Sequence, residues 1–283
     1  MINFAFSVRM ILSCLFVAAV LTATLSGWPA VARAETPILV QSTTSTQNSG
    51  LYGHLLPLYK EASGRDVRVV AVGTGQAINN ARNCDGDVLL VHSKDDEEAF
   101  VADGYGIERH DLMYNDFVLI GPADDPAGVR GSTTITTALE ALAGAKAKFV
   151  SRGDDSGTHK AERRFWKTTS YDPAEASGTW YIETGQGMGG TLNVAVQIKG
   201  YVISDRSTWV AFNNKAGHRI VFEGDPRIFN QYGLIVISPE KCPQVRLEGA
   251  QHFADWLISP AGQQAINSYT VRGQQLFFAN AGK

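Results

Sequence analysis

The sequence has 283 residues, 19% of them charged, and a formal net charge of −3 at pH 7. This length allows two modest domains or one large one. The nearly balanced charge contains no basic stripe, which excludes nucleic acid and anionic lipid as main partners.

The first 34 residues have the pattern of a secretory signal peptide. Arg9 supplies the positive charge, residues 10–25 are apolar but short for a membrane span, and Ala32-Arg33-Ala34 supplies a small-x-small cleavage site. We therefore expect residues 1–34 to be removed and the remainder to be exported. An uncleaved anchor is the alternative interpretation of the same segment.

Two cysteines remain after that cleavage, Cys84 and Cys242. An oxidising compartment allows a disulfide between them, and two separate thiols are equally compatible with the sequence. The six histidines are scattered and none forms an H-E-x-x-H motif. The sequence therefore predicts no bound metal ion.

Strand-like apolar runs alternate with helix-periodic segments along the remaining chain. This order is typical of α/β sheets flanked by helices. The strands are predicted at residues 38–41, 66–72, 88–91, 113–121, 148–151, 180–183, 201–204 and 234–238. The helices are predicted at residues 51–62, 76–82, 97–102, 135–142, 158–167, 192–199, 245–257 and 261–269.

The alternation restarts after the long apolar run that begins at Met113. We predict two α/β lobes, each a mostly parallel sheet: residues 35–116 and 233–283 form the first lobe, and residues 117–232 form the second. The chain would cross near Tyr114 and Tyr232, in strands, which favours a hinge. One continuous doubly wound sheet is the alternative.

Two loops at strand ends of the first lobe carry many small donors. Residues 42–46 read Ser-Thr-Thr-Ser-Thr, and capping the next helix requires only one of these hydroxyls. Thr74 lies between two glycines at the next such junction, where its hydroxyl and N–H can donate. Ligands of open α/β sheets bind at these strand ends. Taken alone, the first loop is equally compatible with ligand binding and with helix capping, and the second is better explained as a tight turn.

The third loop, "RGDDSGT", joins a predicted strand to a helix. Arg152 offers a fork of donors for an oxyanion, and Ser156, Gly157 and Thr158 would supply the N–H groups of the helix N-terminus. Asp154 or Asp155 could pair with Arg152 and fix its fork. An Asx-type cap beside a surface arginine is the alternative.

The fourth loop runs from Thr184 to Thr191 and contains a G-x-G-x-x-G pattern. A dinucleotide site is disfavoured because the preceding strand lies in the middle of the chain and does not open a βαβ unit. We interpret the glycines as allowing close approach to a small anion or to the facing lobe.

Several long motifs resemble one family. They are "TTST" at 43–46, "DVLLVHSK" at 87–94, "MYNDFVLIGP" at 113–122, "SRGDDSGTH" at 151–159 and "TGQGMGGTL" at 184–192. Together they look like the periplasmic tungstate-binding components of tungstate ABC importers. Ser42 stands where that family usually has the first threonine of Thr-Thr-Thr-Ser, and the two cysteines are not part of the pattern.

The resemblance implies a two-lobed, type II periplasmic binding protein that closes on tungstate and delivers it to a membrane permease. It implies a monomer without a cofactor and without enzymatic activity. Molybdate or phosphate is the alternative ligand, and a secreted hydrolase using Ser156 and His159 is the alternative class. The ligand-binding residues implied are Thr44, Ser45, Thr74, Arg152, Ser156, Gly157, Thr158 and Thr191, with Gly187 as an additional candidate.

Overall fold

The computed structural model describes residues 36–282, so the predicted signal peptide lies outside the described residues. Helices and strands alternate along most of this range. The α-helices are α1 (Thr44–Asn48), α2 (Leu51–Ser63), α3 (Thr74–Arg82), α4 (Lys94–Ala102), α5 (Ile135–Gly144), α6 (Gly157–Trp166), α7 (Met188–Ile198), α8 (Arg206–Ala211), α9 (Leu247–Ile258) and α10 (Pro260–Ser268). The strands are β1 (Ile38–Thr43), β2 (Val67–Val72), β3 (Val88–Val91), β4 (Gly106–Pro122), β5 (Phe149–Ser151), β6 (Tyr181–Glu183), β7 (Val202–Asp205), β8 (His218–Phe222), β9 (Phe229–Ile237), β10 (Thr270–Val271), β11 (Gln274–Gln275) and β12 (Phe278–Ala279).

Strand β4, with 17 residues, takes part in two groups of strands. Its first part pairs antiparallel with β9, which continues through β3 to β1 and β2. Its last part pairs antiparallel with β7 and β8. One long strand therefore runs from one half of the fold into the other.

Separate apolar cores lie on the two sides of this strand. On the first side, Val40 of β1 packs with Leu55 of α2 and Phe253 of α9, all fully or almost fully buried. On the second side, Phe149 of β5 meets Trp166 of α6 edge to face, with ring centroids 5.2 Å apart. Each side of the fold therefore has its own apolar core, and strands connect the two sides. This is the two-lobed α/β architecture that the sequence predicts.

The sheets are more mixed than the mostly parallel sheets predicted from the alternation. The β1–β2, β1–β3 and β5–β6 pairs are parallel, whereas every pair that involves β4 or β9 is antiparallel. The two strands that connect the lobes run in opposite directions because the chain leaves along one and returns along the other.

Cys84 and Cys242 form a disulfide with their Cα atoms 5.3 Å apart. Cys84 follows α3 and Cys242 follows β9, so the bond ties the C-terminal end of α3 to the segment that precedes α9. Thr74 lies at the other end of α3. Within residues 36–282, no helix combines the length and apolarity that are needed to cross a bilayer.

Candidate functional site

The hydroxyls of the first loop divide into two groups. Ser42 donates to the carbonyl of Leu90 at 2.7 Å and also contacts the Tyr52 hydroxyl, so it is turned into the first lobe. Thr43 caps α1 by accepting the N–H of Thr46 at 3.3 Å. Ser45 is 2% exposed and does not serve as the cap. Ser45, together with the half-buried Thr44, is therefore the part of this loop that can serve a ligand.

Thr74 joins the two lobes. It is the first residue of α3, two residues before the predicted start of that helix, and its Oγ1 accepts the N–H of Gly157 at 2.9 Å. A Cβ added at Gly157 would lie 2.8 Å from Thr74 Oγ1 and 2.8 Å from Cε1 of His92. Gly157 therefore has to be a glycine for α6 to approach the first lobe this closely.

Arg152 is 2% exposed, which contradicts the alternative of a surface arginine. Its Nε and Nη2 donate to Oδ2 of Asp154 at 3.2 and 2.6 Å. Its Nη1 lies 3.5 Å from Oγ of Ser45 in the other lobe. Asp154, and not Asp155, therefore orients the guanidinium, and the remaining N–H groups face the first-lobe loop.

The adjacent Asp155 lies differently. It has a φ of +55° and a side chain that is 76% exposed, and its N–H donates to Nδ1 of His159 at 3.1 Å. A left-handed backbone at Asp155 turns the loop between Arg152 and the start of α6. The loop therefore places one aspartate against the arginine and the other at the surface.

The N-terminus of α6 lies in the same place. Ser156 caps the helix by accepting the N–H of His159 at 3.3 Å, and its own N–H donates to Oδ1 of Asp154 at 3.2 Å. Thr158 is 1% exposed, and its Oγ1 is buried without a hydrogen-bond partner. A buried unsatisfied hydroxyl costs about 1–3 kcal/mol. The first turn of α6 thus carries a buried donor that is not used within the protein, as expected of a ligand site.

Thr191 has a different environment. Its hydroxyl lies 2.9 Å from that of Thr184 and 3.2 Å from the carbonyls of Gln186 and Gly187. The N–H of Thr184 in turn donates to the carbonyl of Ser151, at 3.0 Å. These contacts brace the fourth loop against the strand that leads into Arg152. A direct contact between Thr191 and a ligand remains a prediction.

Glu162 of α6 was not identified from the sequence. It is 1% exposed, and the Tyr181 hydroxyl donates to its Oε1 at 2.6 Å. Burial raises the pKa of Glu162 to about 8, although hydrogen bonds from Tyr181, from the Ser151 side chain and from the Arg152 backbone act in the opposite direction. The carboxyl is therefore mostly protonated at pH 7 and adds little negative charge near Arg152, whose ion-pair partner is Asp154.

His92, in the segment "DVLLVHSK", was not identified as a site residue from the sequence. Its Nδ1 lies 3.0 Å from Oδ1 of Asn230, and Nδ2 of Asn230 donates to Oδ1 of Asn115 at 2.6 Å, so His92 is the donor of the first contact. Burial lowers the pKa of His92 to about 4; Asp205 and Asn230 oppose this shift, and the charge of Arg152 adds to it. The imidazole is therefore neutral at pH 7.

The geometry does not support the hydrolase alternative. Ser156 Oγ accepts a backbone N–H, and the His159 ring accepts the N–H of Asp155, so neither group activates the other. A nucleophile requires a base within hydrogen-bond reach. Within residues 36–282, no group of three His, Cys, Asp or Glu side chains is placed to hold a metal ion.

Comparisons with known proteins agree with this geometry. Residues 30–261 match the model of a family described as a PBP superfamily domain. The tungstate-binding protein TupA of Peptoclostridium acidaminophilum is 43% identical over 255 residues, covering 89% of this chain and 88% of the relative.

Two solved structures are similar over their whole length. A tungstate-binding protein TupA from Desulfovibrio alaskensis G20 is 45% identical with a TM-score of 0.76, covering 87% of this chain and 100% of its own. A structure described as the tungstate ABC transporter from Geobacter sulfurreducens is 43% identical with a TM-score of 0.77, covering 83% and 100%. The chain therefore belongs to the PBP superfamily and, within it, to the family of these TupA proteins.

Proposed function

We propose that this protein captures tungstate in the periplasm and delivers it to the permease of an ABC importer. The observation that carries the proposal is Arg152, a buried guanidinium that Asp154 fixes at 2.6 Å and that reaches to 3.5 Å from Ser45 of the opposite lobe. An oxyanion between these groups would contact both lobes at once. The names and similarity of the relatives supply the identity of the anion.

The donors around Arg152 fit a tetrahedral dianion. Thr158 offers a buried hydroxyl without a partner, and Thr44 and Ser45 offer hydroxyls from the first lobe. Helix N-termini favour anions because their N–H groups are unpaired and the helix dipole is positive there. Arg152 contributes a full charge together with directed donors.

The protonation of the anion favours tungstate over phosphate. Tungstate and molybdate are fully ionised near neutral pH, whereas phosphate retains a proton for which a site needs an acceptor. Asp154 already accepts hydrogen bonds from Arg152 and from the N–H of Ser156, and Asp155 lies at the surface. Asp154 is therefore already engaged by donors of its own loop and Asp155 is directed to solvent, so neither is placed as the acceptor that the phosphate proton would need. Molybdate has the same charge and shape as tungstate, so it is the principal competitor.

Closure of the lobes would couple binding to delivery. A ligand that contacts both lobes stabilises the closed form by its differential affinity for the two forms. We propose residues 35–116 and 233–283 as the first lobe and residues 117–232 as the second, with the Thr74–Gly157 contact as one of those formed on closure. The permease would then recognise the closed monomer.

Calorimetric titration of the protein that begins at residue 35 tests this function. We expect one tungstate per chain and far weaker binding of sulfate and phosphate, with molybdate as the close comparison. Sub-micromolar phosphate binding without any heat from tungstate would refute the proposal. Turnover of a generic ester that disappears in Ser156→Ala would instead support the hydrolase alternative.

A further inference from the structure

Two charged side chains connect the lobes beside the anion site. Nζ of Lys160 lies 2.7 Å from Oδ2 of Asp96. Lys160 is on α6, whose Phe165 is part of the second core, and Asp96 is on α4, whose Phe100 packs with first-lobe residues. The ion pair therefore bridges the two lobes.

The carboxylate of Asp96 is held in place and kept ionised by its neighbours. Its Oδ2 also accepts the hydroxyl of Ser93 at 2.6 Å. Partial burial acts to raise the pKa of Asp96, but hydrogen bonds from Lys160 and Ser93 outweigh it and lower the pKa below its usual value. The Asp96 carboxylate is therefore ionised near neutral pH.

Lys160 has a second acidic neighbour in its own lobe. Oδ2 of Asp155 lies 3.8 Å from its Nζ, and Asp155 precedes the same helix. When the lobes separate, Lys160 can turn from Asp96 to Asp155 without becoming an unpaired charge. The interlobe bond can consequently break and form again at a small free-energy cost, because both partners remain about one-third exposed.

The position of Lys160 makes this bond relevant to the ligand. Lys160 lies in the first turn of α6, two residues after Thr158, whose buried hydroxyl lacks a partner. A bond from this turn to α4 holds the N-terminus of α6, and with it the anion donors, against the first lobe.

We propose that Lys160 and Asp96 are positioning residues that form a reversible latch, hold the lobes closed and slow release of the anion. The inference rests on the proposed function for its ligand. A different account would have Lys160 act only by long-range attraction of the anion. The two accounts differ in sign at Asp96, because removing a negative charge should tighten anion binding by attraction alone but weaken it if the latch is lost.

Stopped-flow release of tungstate from the Lys160→Met, Asp96→Asn and doubly substituted proteins tests the latch. At low ionic strength we expect each single variant to release tungstate about 2- to 5-fold faster, the range typical of a partly exposed pair. The double variant should be no faster than either single one. Lys94→Met is the matched control, because Lys94 pairs with Glu98 inside α4, at 3.7 Å.

The salt dependence provides a further criterion. The differences in tungstate release rate between the variants and the wild type should disappear near 1 M salt, because salt at this concentration screens a surface ion pair. Unchanged or slower release from Asp96→Asn at low salt would overturn the latch.

Amide exchange of Gly157 gives a readout that needs no ligand. Its N–H is bonded to Thr74 across the lobes, so its protection measures closure. Asp96→Asn should lower this protection about 2- to 5-fold relative to Lys94→Met, and equal protection would overturn the latch. If the wild-type protein binds no tungstate but Asp96→Asn still lowers the protection of the Gly157 amide, the proposed function is wrong and the interlobe latch is supported.

Discussion

Replacing Arg152 by alanine should damage anion binding more than any other single truncation. Nε and Nη2 are occupied by Asp154, so Nη1 and the outer N–H of Nη2 remain for the anion. A hydrogen bond to a charged group contributes about 1.5–3 kcal/mol, and one or two such bonds are lost. We therefore expect a loss of roughly 2–5 kcal/mol, or about 30- to 5,000-fold in affinity for tungstate.

Arg152→Lys should recover only part of this loss, because an ammonium cannot bond to Asp154 and to the anion in the geometry of the guanidinium. Arg219→Ala is the control, since Arg219 is an exposed arginine of β8 in the same lobe. Titration calorimetry measures the affinities, and thermal unfolding checks that each variant is folded. If Arg152→Ala bound tungstate within about threefold of the wild type, a loss below 1 kcal/mol, the site assignment would be wrong.

Three further substitutions test neighbouring parts of the site. Thr158→Val removes a buried hydroxyl that has no partner, so the ligand-free protein should be as stable as the wild type or gain about 1 kcal/mol in its free energy of unfolding. The same change should lower the affinity for tungstate about 3- to 10-fold. Lower stability in denaturant together with unchanged affinity would contradict this prediction. Gly157→Ala should weaken tungstate binding at least about 10-fold, because its methyl group would lie 2.8 Å from Thr74 Oγ1. Gly131→Ala is the control, because this exposed glycine of the second lobe has open space around it, and the variant should bind as the wild type does. The pKa of Glu162 is raised to about 8, so the free energy of unfolding should fall as the pH rises from about 4.5 to 8. Glu162→Gln should flatten that slope in urea titrations, and an unchanged slope would show that another group is responsible.

Much of the site could be predicted because its loops lie where strands end. Arg152 and the Ser156–Thr158 turn were identified from the junction of a short apolar strand with a helix, and Thr74 from a similar junction. Helix ends and strand ends leave backbone groups unpaired, so small polar residues there carry a local signal.

The partners of these residues could not be predicted, because they depend on packing. Asp154 and Asp155 are adjacent and chemically identical in the sequence, and their directions depend on the left-handed backbone at Gly153 and Asp155. Ser42 and Ser45 both look like donors, but Ser42 bonds to Leu90, which lies 48 residues away. Local pattern contains no information about such distant contacts.

The fold shows the same division. The apolar run at 88–91 was predicted with the bounds that the structure gives it. Helix α8 and strand β8 were missed, because a six-residue helix and a strand with an exposed arginine have weak periodicity. Strands β4 and β9 are antiparallel because the chain leaves the first lobe along one and returns along the other. The alternation of helices and strands in the sequence does not reveal this direction.

A crystal structure of the tungstate complex, with anomalous data collected at the tungsten edge, would show whether the anion binds between the lobes at Arg152. We expect one strong peak between the lobes, with oxyanion atoms within hydrogen-bond distance of Nη1 of Arg152, Oγ of Ser45 and Oγ1 of Thr158. A peak on the surface of one lobe, or between the lobes but bonded to none of these three atoms, would contradict this expectation.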